Sequence, residues 1–256
     1  MNEKTGSEKG RPVETGLIDA ADIAFDIDGV VADTFRSFVT LAEREHGIRI
    51  HYEEITEYEF WKVLDIDEHH TRTIIRKILE QPVEIGIRPI SGARDVIMSL
   101  LQTGPVRFVT ARPDPDSILR WMTEVLDIPD TDGILLEATG DPDLKASFLA
   151  REEVKYFVED RLETCYSLQD ASIVPIVFDQ PWNRKPSSFM RVRDWREIAA
   201  IIQWPEGTAP FPSAPEDNAG GGERHCNKEF FVSESKGGAP CRPMNSSVKS
   251  ATNLLR

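Results

Sequence analysis

The feature that most constrains this chain is an alternation of two patterns. Short apolar runs read as strands: "IAFDI" (23–27), "VRFVTA" (106–111), "ILLEA" (134–138), "KYFVED" (155–160) and "IVPIVFD" (173–179). Between and after them lie segments with apolar residues at helical spacing: "ARDVIMSLLQ" (93–102), "DSILRWMTEVL" (116–126), "DLKASFLAREE" (143–153), "LETCYSLQDA" (162–171) and "DWREIAAIIQW" (194–204). Near-continuous apolar strands suit a parallel sheet covered on both faces. Strands alternating with helices predict a doubly wound α/β fold.

Residues 34–88 break the alternation. They separate the first strand from the second and hold two helical patterns, "FRSFVTLAEREHG" and "DEHHTRTIIRKILEQ". That is far longer than a crossover needs, so the segment reads as an inserted helical cap. The core is then 19–33 plus 89–204. Of the cap aromatics Tyr52, Tyr58, Phe60 and Trp61, most are expected to pack the cap itself, and a minority to face a cleft where they could stack on a substrate ring. Residues 1–18 read as a loose leader, and 205–256, rich in Pro, Gly, Ser and Asn, as a disordered tail. His225, Cys226 and Cys241 in that tail fall one ligand short of a four-ligand zinc site.

Composition narrows the partners. A formal charge of −14 disfavours a nucleic-acid polymer or an anionic membrane. It does not exclude a small phosphorylated metabolite, because a metal ion or a lysine can reverse the field inside a cleft. No stretch approaches a membrane span, and "MNEKTGSEKGRPVETG" has no apolar signal core. Three sparse cysteines fit a reducing cytoplasm rather than a disulfide scaffold. The oligomeric state has no signature in the sequence.

The ends of the strands carry the chemistry. In an open α/β sheet, ligands bind beyond the carboxyl ends of the strands. The first strand ends in Asp26-Ile27-Asp28, whose alternate carboxylates would share a face and repel unless something offsets them. A turn would also use Asp and Gly, so this pair alone does not decide. The second strand ends in Thr110-Ala111-Arg112, Lys145 lies near the start of the helix after the third, and the fourth ends in Glu159-Asp160-Arg161. The fifth ends in "FDQPWNR" (178–184). Four acids, a hydroxyl and a lysine thus converge on one sheet edge.

With D-x-D-G-V at 26–30, then Thr110, Lys145 and the acidic pair in order, the chain resembles the haloacid dehalogenase superfamily of Asp-nucleophile phosphohydrolases over about residues 20–200. "FVTARP", "FVEDR" and "FDQPWNR" look most like its 5′(3′)-deoxyribonucleotidase-like branch. The resemblance implies a Rossmann-like parallel-sheet core with a helical cap. It makes Asp26 the nucleophile, Asp28 the general acid and base, and Thr110 and Lys145 the holders of the phosphoryl oxygens. It also makes Asp26, the backbone carbonyl of Asp28, and Asp160 ligands of Mg²⁺, with Glu159 as Asp160's competitor. The branch often has two aspartates where this chain has Glu159-Asp160, which leaves the direct ligand open; Asp160 is preferred. Lys155 opens its strand at the end away from the acids, so Lys145 is preferred as the motif lysine. Asp33 reads as a helix N-cap. Arg112 and Arg161 either contact substrate or pair with acids, and Asn183 and Arg184 either line the site or brace a loop. The implied activity is a Mg²⁺-dependent phosphatase acting on a nucleoside monophosphate, with a sugar phosphate or other small phosphomonoester close behind. A non-catalytic phosphate-binding regulatory module is the alternative of another class. It would be marked by loss of Asp26 or Asp28, and both are present.

Overall fold

The structure, a computed structural model, describes residues 16–62, 66–128 and 131–211. The expectations for the leader up to residue 15, and for the tail from 212 with His225, Cys226 and Cys241, fall outside these residues.

In chain order the elements are β1 (Ile18–Asp19), β2 (Ile23–Phe25), α1 (Thr34–His46), α2 (Glu68–Glu80), α3 (Ala93–Leu101), β3 (Val106–Thr110), α4 (Asp116–Glu124), β4 (Ile134–Ala138), α5 (Lys145–Arg151), β5 (Tyr156–Glu159), α6 (Leu162–Asp170), β6 (Val174–Phe178), β7 (Met190–Val192), α7 (Trp195–Ile201) and β8 (Ile202–Gln203). Six strands form one parallel sheet in the order β4-β3-β2-β5-β6-β7. The chain runs outward from β2 to β4, then restarts beside β2 with β5. The strand order therefore reverses at β2, with β3 on one side and β5 on the other. A crevice at such a reversal is where this architecture binds ligands.

The apolar runs fold as strands because their side chains are wanted on both faces. Phe25, Phe108, Phe157, Val158 and Ile176 are fully buried. Phe25 lies opposite Phe108 and Val158 in the register, and its ring packs 5.2 Å from that of Trp195 on α7. Three strands, β1, β7 and β8, were not read from the sequence. β7 adds an edge strand, and the last helical pattern ends at Ile201, after which Ile202 and Gln203 pair with Ile18 and Asp19. Ile18 and Ile202 are buried, so Ile18, read as the end of a leader, is part of the fold. At the other end, Phe211 packs against the core, beyond the point where the tail was expected to begin.

Residues 34–88 hold α1 and α2, which pack together, with short 3-10 turns at Tyr52–Glu54 and Phe60–Lys62 between them. Asp33 sits at the N-cap of α1, but its side chain makes no cap bond. Its carboxylate instead accepts from Arg36 Nε at 3.1 Å.

Candidate active site

β2 ends at Phe25, one residue before the first acid, and the backbone then turns. The amides of Val30, Val31 and Ala32 all donate to the Ile27 carbonyl, and Gly29 takes a left-handed φ of +80°. This turn separates the paired aspartates. Asp26 faces the α5 side, where Lys145 Nζ meets its Oδ1 at 2.8 Å. Asp28 faces β3, where Arg112 grips it with two arms, Nε to Oδ2 at 2.9 Å and Nη2 to Oδ1 at 2.8 Å. The expected repulsion is thus met by a separate cation for each carboxylate.

Lys145 is 2% exposed and also bonds Glu159 Oε2 at 3.0 Å. Its ammonium has three protons and uses two of them on Asp26 and Glu159, leaving one. Lys155 is elsewhere, exposed and paired with Asp22 at 2.9 Å. Thr110 is fully buried at the end of β3; its hydroxyl donates to Asp28 Oδ2 at 3.3 Å and accepts from the Arg112 amide at 3.2 Å.

The two acids after β5 have different surroundings. Glu159 is satisfied: Oε2 meets Lys145, and Oε1 accepts from the amides of Asp160 and Arg161 at 3.2 and 3.1 Å. Asp160 is fully buried, and neither carboxylate oxygen has a hydrogen-bond partner. Buried polar atoms are nearly always paired, and an unpaired buried carboxylate is a donor group suited to a cation. Asp26, Glu159 and Asp160 can each place an oxygen within 4.8 Å of the others. This donor set fits a hard divalent cation. Burial, then the neighbouring Glu159 and Asp26, push the Asp160 carboxyl well above its ordinary value. Asp26 is raised too, chiefly by burial, with Lys145 opposing and Glu159 and Asp28 adding. Burial pulls the Lys145 ammonium down, but Asp26 and Glu159 more than reverse this and hold it above its usual range.

Beside Asp28 lies a cavity of about 210 Å³. Asp28 and Arg112 form its floor, and Phe35, Tyr58, Phe60 and Trp61 of the cap form its walls. Three of the four aromatics singled out in the sequence therefore face a cleft. Tyr52 does not: its hydroxyl donates to Gln180 Oε1 at 2.8 Å. Burial and the nearby charges of Asp160 and Asp26 push the Tyr58 phenol up. Phe35, at the first turn of the cap helix, was not singled out as a site residue; its ring stacks 3.8 Å from that of Trp182.

The "FDQPWNR" segment braces the site. Asn183 Nδ2 donates to the carbonyls of Asp160 and Phe178 at 2.8 and 2.7 Å. Gln180 Nε2 donates to the Gly29 carbonyl at 2.7 Å, so this loop holds both acid-bearing turns. Arg184 lies at the surface, paired with Glu53 and Asp179. Arg161 lies 5.4 Å from the Tyr58 ring centroid, and its nearest acids, Glu163 and Asp143, are 3.7 and 3.9 Å away.

A parallel sheet carrying a D-x-D turn, a buried lysine and a paired acid at its carboxyl edge, under a helical cap, defines a haloacid dehalogenase-type phosphohydrolase. Similarity to known proteins agrees. The family model described as 5′ nucleotidase, deoxy (Pyrimidine), cytosolic type C protein matches residues 20–204, and the chain belongs to that family. With it the chain is a phosphoric monoester hydrolase. The 5′(3′)-deoxyribonucleotidases of Bacillus subtilis (strain 168) and of Bacillus phage SPbeta are each 26% identical to it over 182 residues, covering 69% of this chain and 95% of theirs. A haloacid dehalogenase-like family hydrolase from Streptococcus pneumoniae shares the fold, with a TM-score of 0.50, 13% identity, and coverage of 71% of this chain and 97% of the other.

Proposed function

We propose that this chain is a Mg²⁺-dependent nucleotidase that removes the phosphate of a nucleoside monophosphate through an aspartyl-phosphate on Asp26. The observation that carries the substrate class is the cavity: it is lined by Asp28 and Arg112 and, from the cap, by Phe35, Tyr58, Phe60 and Trp61 beside the aliphatic Ile75, Ile78 and Leu79. A planar base stacks on such walls while its phosphate reaches the acids. The names of the relatives from Bacillus subtilis and from Bacillus phage SPbeta point the same way.

In this reading Asp26 attacks phosphorus. The bond from phosphorus to the ester oxygen breaks with its electron pair on that oxygen, which takes a proton from Asp28. Water then attacks the aspartyl-phosphate and gives its proton to Asp28. The bond between phosphorus and Asp26 breaks, releasing inorganic phosphate and restoring both carboxyl groups. The free proton of Lys145 holds a phosphoryl oxygen, and the Thr110 hydroxyl holds another by turning its one proton from Asp28 to the phosphate. Asp26, Asp160 and the Asp28 carbonyl would hold Mg²⁺, with Glu159 set behind them as the partner of Lys145. Bound there, the cation would offset the charge of a carboxylate approaching an anionic phosphoryl group.

The test is a Mg²⁺-supplemented phosphatase screen across nucleoside monophosphates and sugar phosphates, repeated on Trp61→Ala. Nucleotides should lead the ranking, and the variant should raise their KM without raising that of inorganic-like small esters. A ranking led by sugar phosphates would overturn the substrate class. Tight phosphate binding without turnover of any ester would favour a binding module instead.

A further inference from the structure

Arg112 does more than neutralise Asp28. The guanidinium has five donors in a rigid fork. Two arms hold the Asp28 carboxylate. A third group, Nη1, donates to the carbonyls of Ile78 and Leu79 at 3.2 and 3.0 Å. Those carbonyls belong to the last turn of α2, where a helix has no internal partners to offer them. Ser117, from the first turn of α4, donates to the same Leu79 carbonyl at 2.6 Å. The cap helix is thus seated on the core by two residues from the segment after β3. One of them is the guanidinium that holds Asp28 at hydrogen-bond distance.

We propose that Arg112 is a positioning residue that makes proton transfer by Asp28 depend on a seated cap. With α2 in place, its carbonyls fix the plane of the guanidinium, and the fork fixes the carboxylate. When α2 lifts, Nη1 loses both acceptors, the fork is free to turn, and Asp28 loses its aim at the leaving oxygen. Acid catalysis is then available only when the cap that walls the cavity is closed. The inference rests on the reading of Asp28 as the proton donor.

The test compares kcat/KM for phenyl phosphate and p-nitrophenyl phosphate, esters of similar shape whose leaving groups differ in their need for a proton. Arg112→Lys keeps the charge but loses the fork. It should lower kcat/KM for phenyl phosphate on the order of a hundredfold, the lower end of what general acid catalysis supplies, and for p-nitrophenyl phosphate much less. Ser117→Ala touches only the cap carbonyl, and should show the same preference at smaller size. It also carries the test if Arg112→Lys does not fold, as judged by its melting curve. Equal losses on both esters, or a change in KM alone, would make Arg112 a structural or substrate-binding residue. A preference in Arg112→Lys with none in Ser117→Ala would overturn the dependence on the cap. Asp28→Asn is the reference. If it shows the preference and Arg112→Lys does not, the coupling fails alone. If neither shows it, the proton-donor reading fails and the coupling with it.

Discussion

At the scale of single residues, the site depends on which polar atoms are satisfied. Asp26 has Lys145, Asp28 has Arg112, Glu159 has Lys145 and two amides, and Asp160 has no hydrogen-bond partner. Asp26→Asn removes the nucleophile and one of the repelling charges. Turnover should vanish while the metal-free protein melts at or above the wild-type temperature; substantial residual turnover would rule Asp26 out as nucleophile. Gly29 is the second sensitive position. A Cβ there would lie 2.0 Å from Asp160 Oδ2, and its φ of +80° disfavours any side chain. Gly29→Ala should destabilise the fold by about 1–3 kcal/mol in urea denaturation and should raise the Mg²⁺ concentration needed for half-maximal activity. An unchanged Mg²⁺ requirement would mean that Asp160 does not hold the ion. The sequence made the acids legible because D-x-D-G at the end of an apolar run is unusual. It could not show that the turn after Phe25 sends the two carboxylates to opposite cations, because that is set by the backbone of Ile27–Ala32 and not by alternation along a strand.

At the scale of elements, strands and helices with strong apolar periodicity were legible, and those built from pairing alone were not. β3 through β6 lie where the runs predicted, within a residue or two at each end. β1, β7 and β8 have two or three residues each, too few for a pattern: β7 joins the free edge of β6, and β1 and β8 pair with each other in a separate two-stranded sheet. Asp33 sits at the cap position, but Arg36 in the first turn of α1 takes its carboxylate. The 3-10 turn Pro181–Asn183 is the least legible element with the largest effect, since its side chains reach backwards to carbonyls that the sequence does not mark. Asn183→Ala would leave the Asp160 and Phe178 carbonyls without that donor inside the protein. Unpaired buried groups cost about 1–3 kcal/mol each, so a loss of about 3 kcal/mol is expected in denaturant unfolding, with a higher Mg²⁺ concentration needed for half-maximal activity. A variant as stable as wild type would show that the loop does not hold Asp160 in place.

At the scale of the whole chain, the buried acids after β2 and β5 repel one another, and the proposed cation would offset that repulsion. Burial and mutual repulsion raise the Asp26 and Asp160 carboxyls above their ordinary value. In the unfolded chain both ionise at that ordinary value. Between it and the raised native values the native state therefore holds more protons than the unfolded one, and stability falls as pH rises through that window. A cation reverses the sense, because it binds the ionised acids of the native state and competes with protons. At a hundredfold excess over Kd it adds about 2.7 kcal/mol, provided the unfolded chain, with its acids scattered, does not bind. Thermal melts with EDTA and with millimolar Mg²⁺, taken at pH 5 and at pH 8, should show a gain of several degrees at pH 8 and a smaller one at pH 5. Asp160→Asn should gain little at either pH. An equal gain in the variant would remove Asp160 from the ligand set, a gain that shrinks as pH rises would contradict the proton competition, and turnover that survives chelation would end the case for a metal at this site.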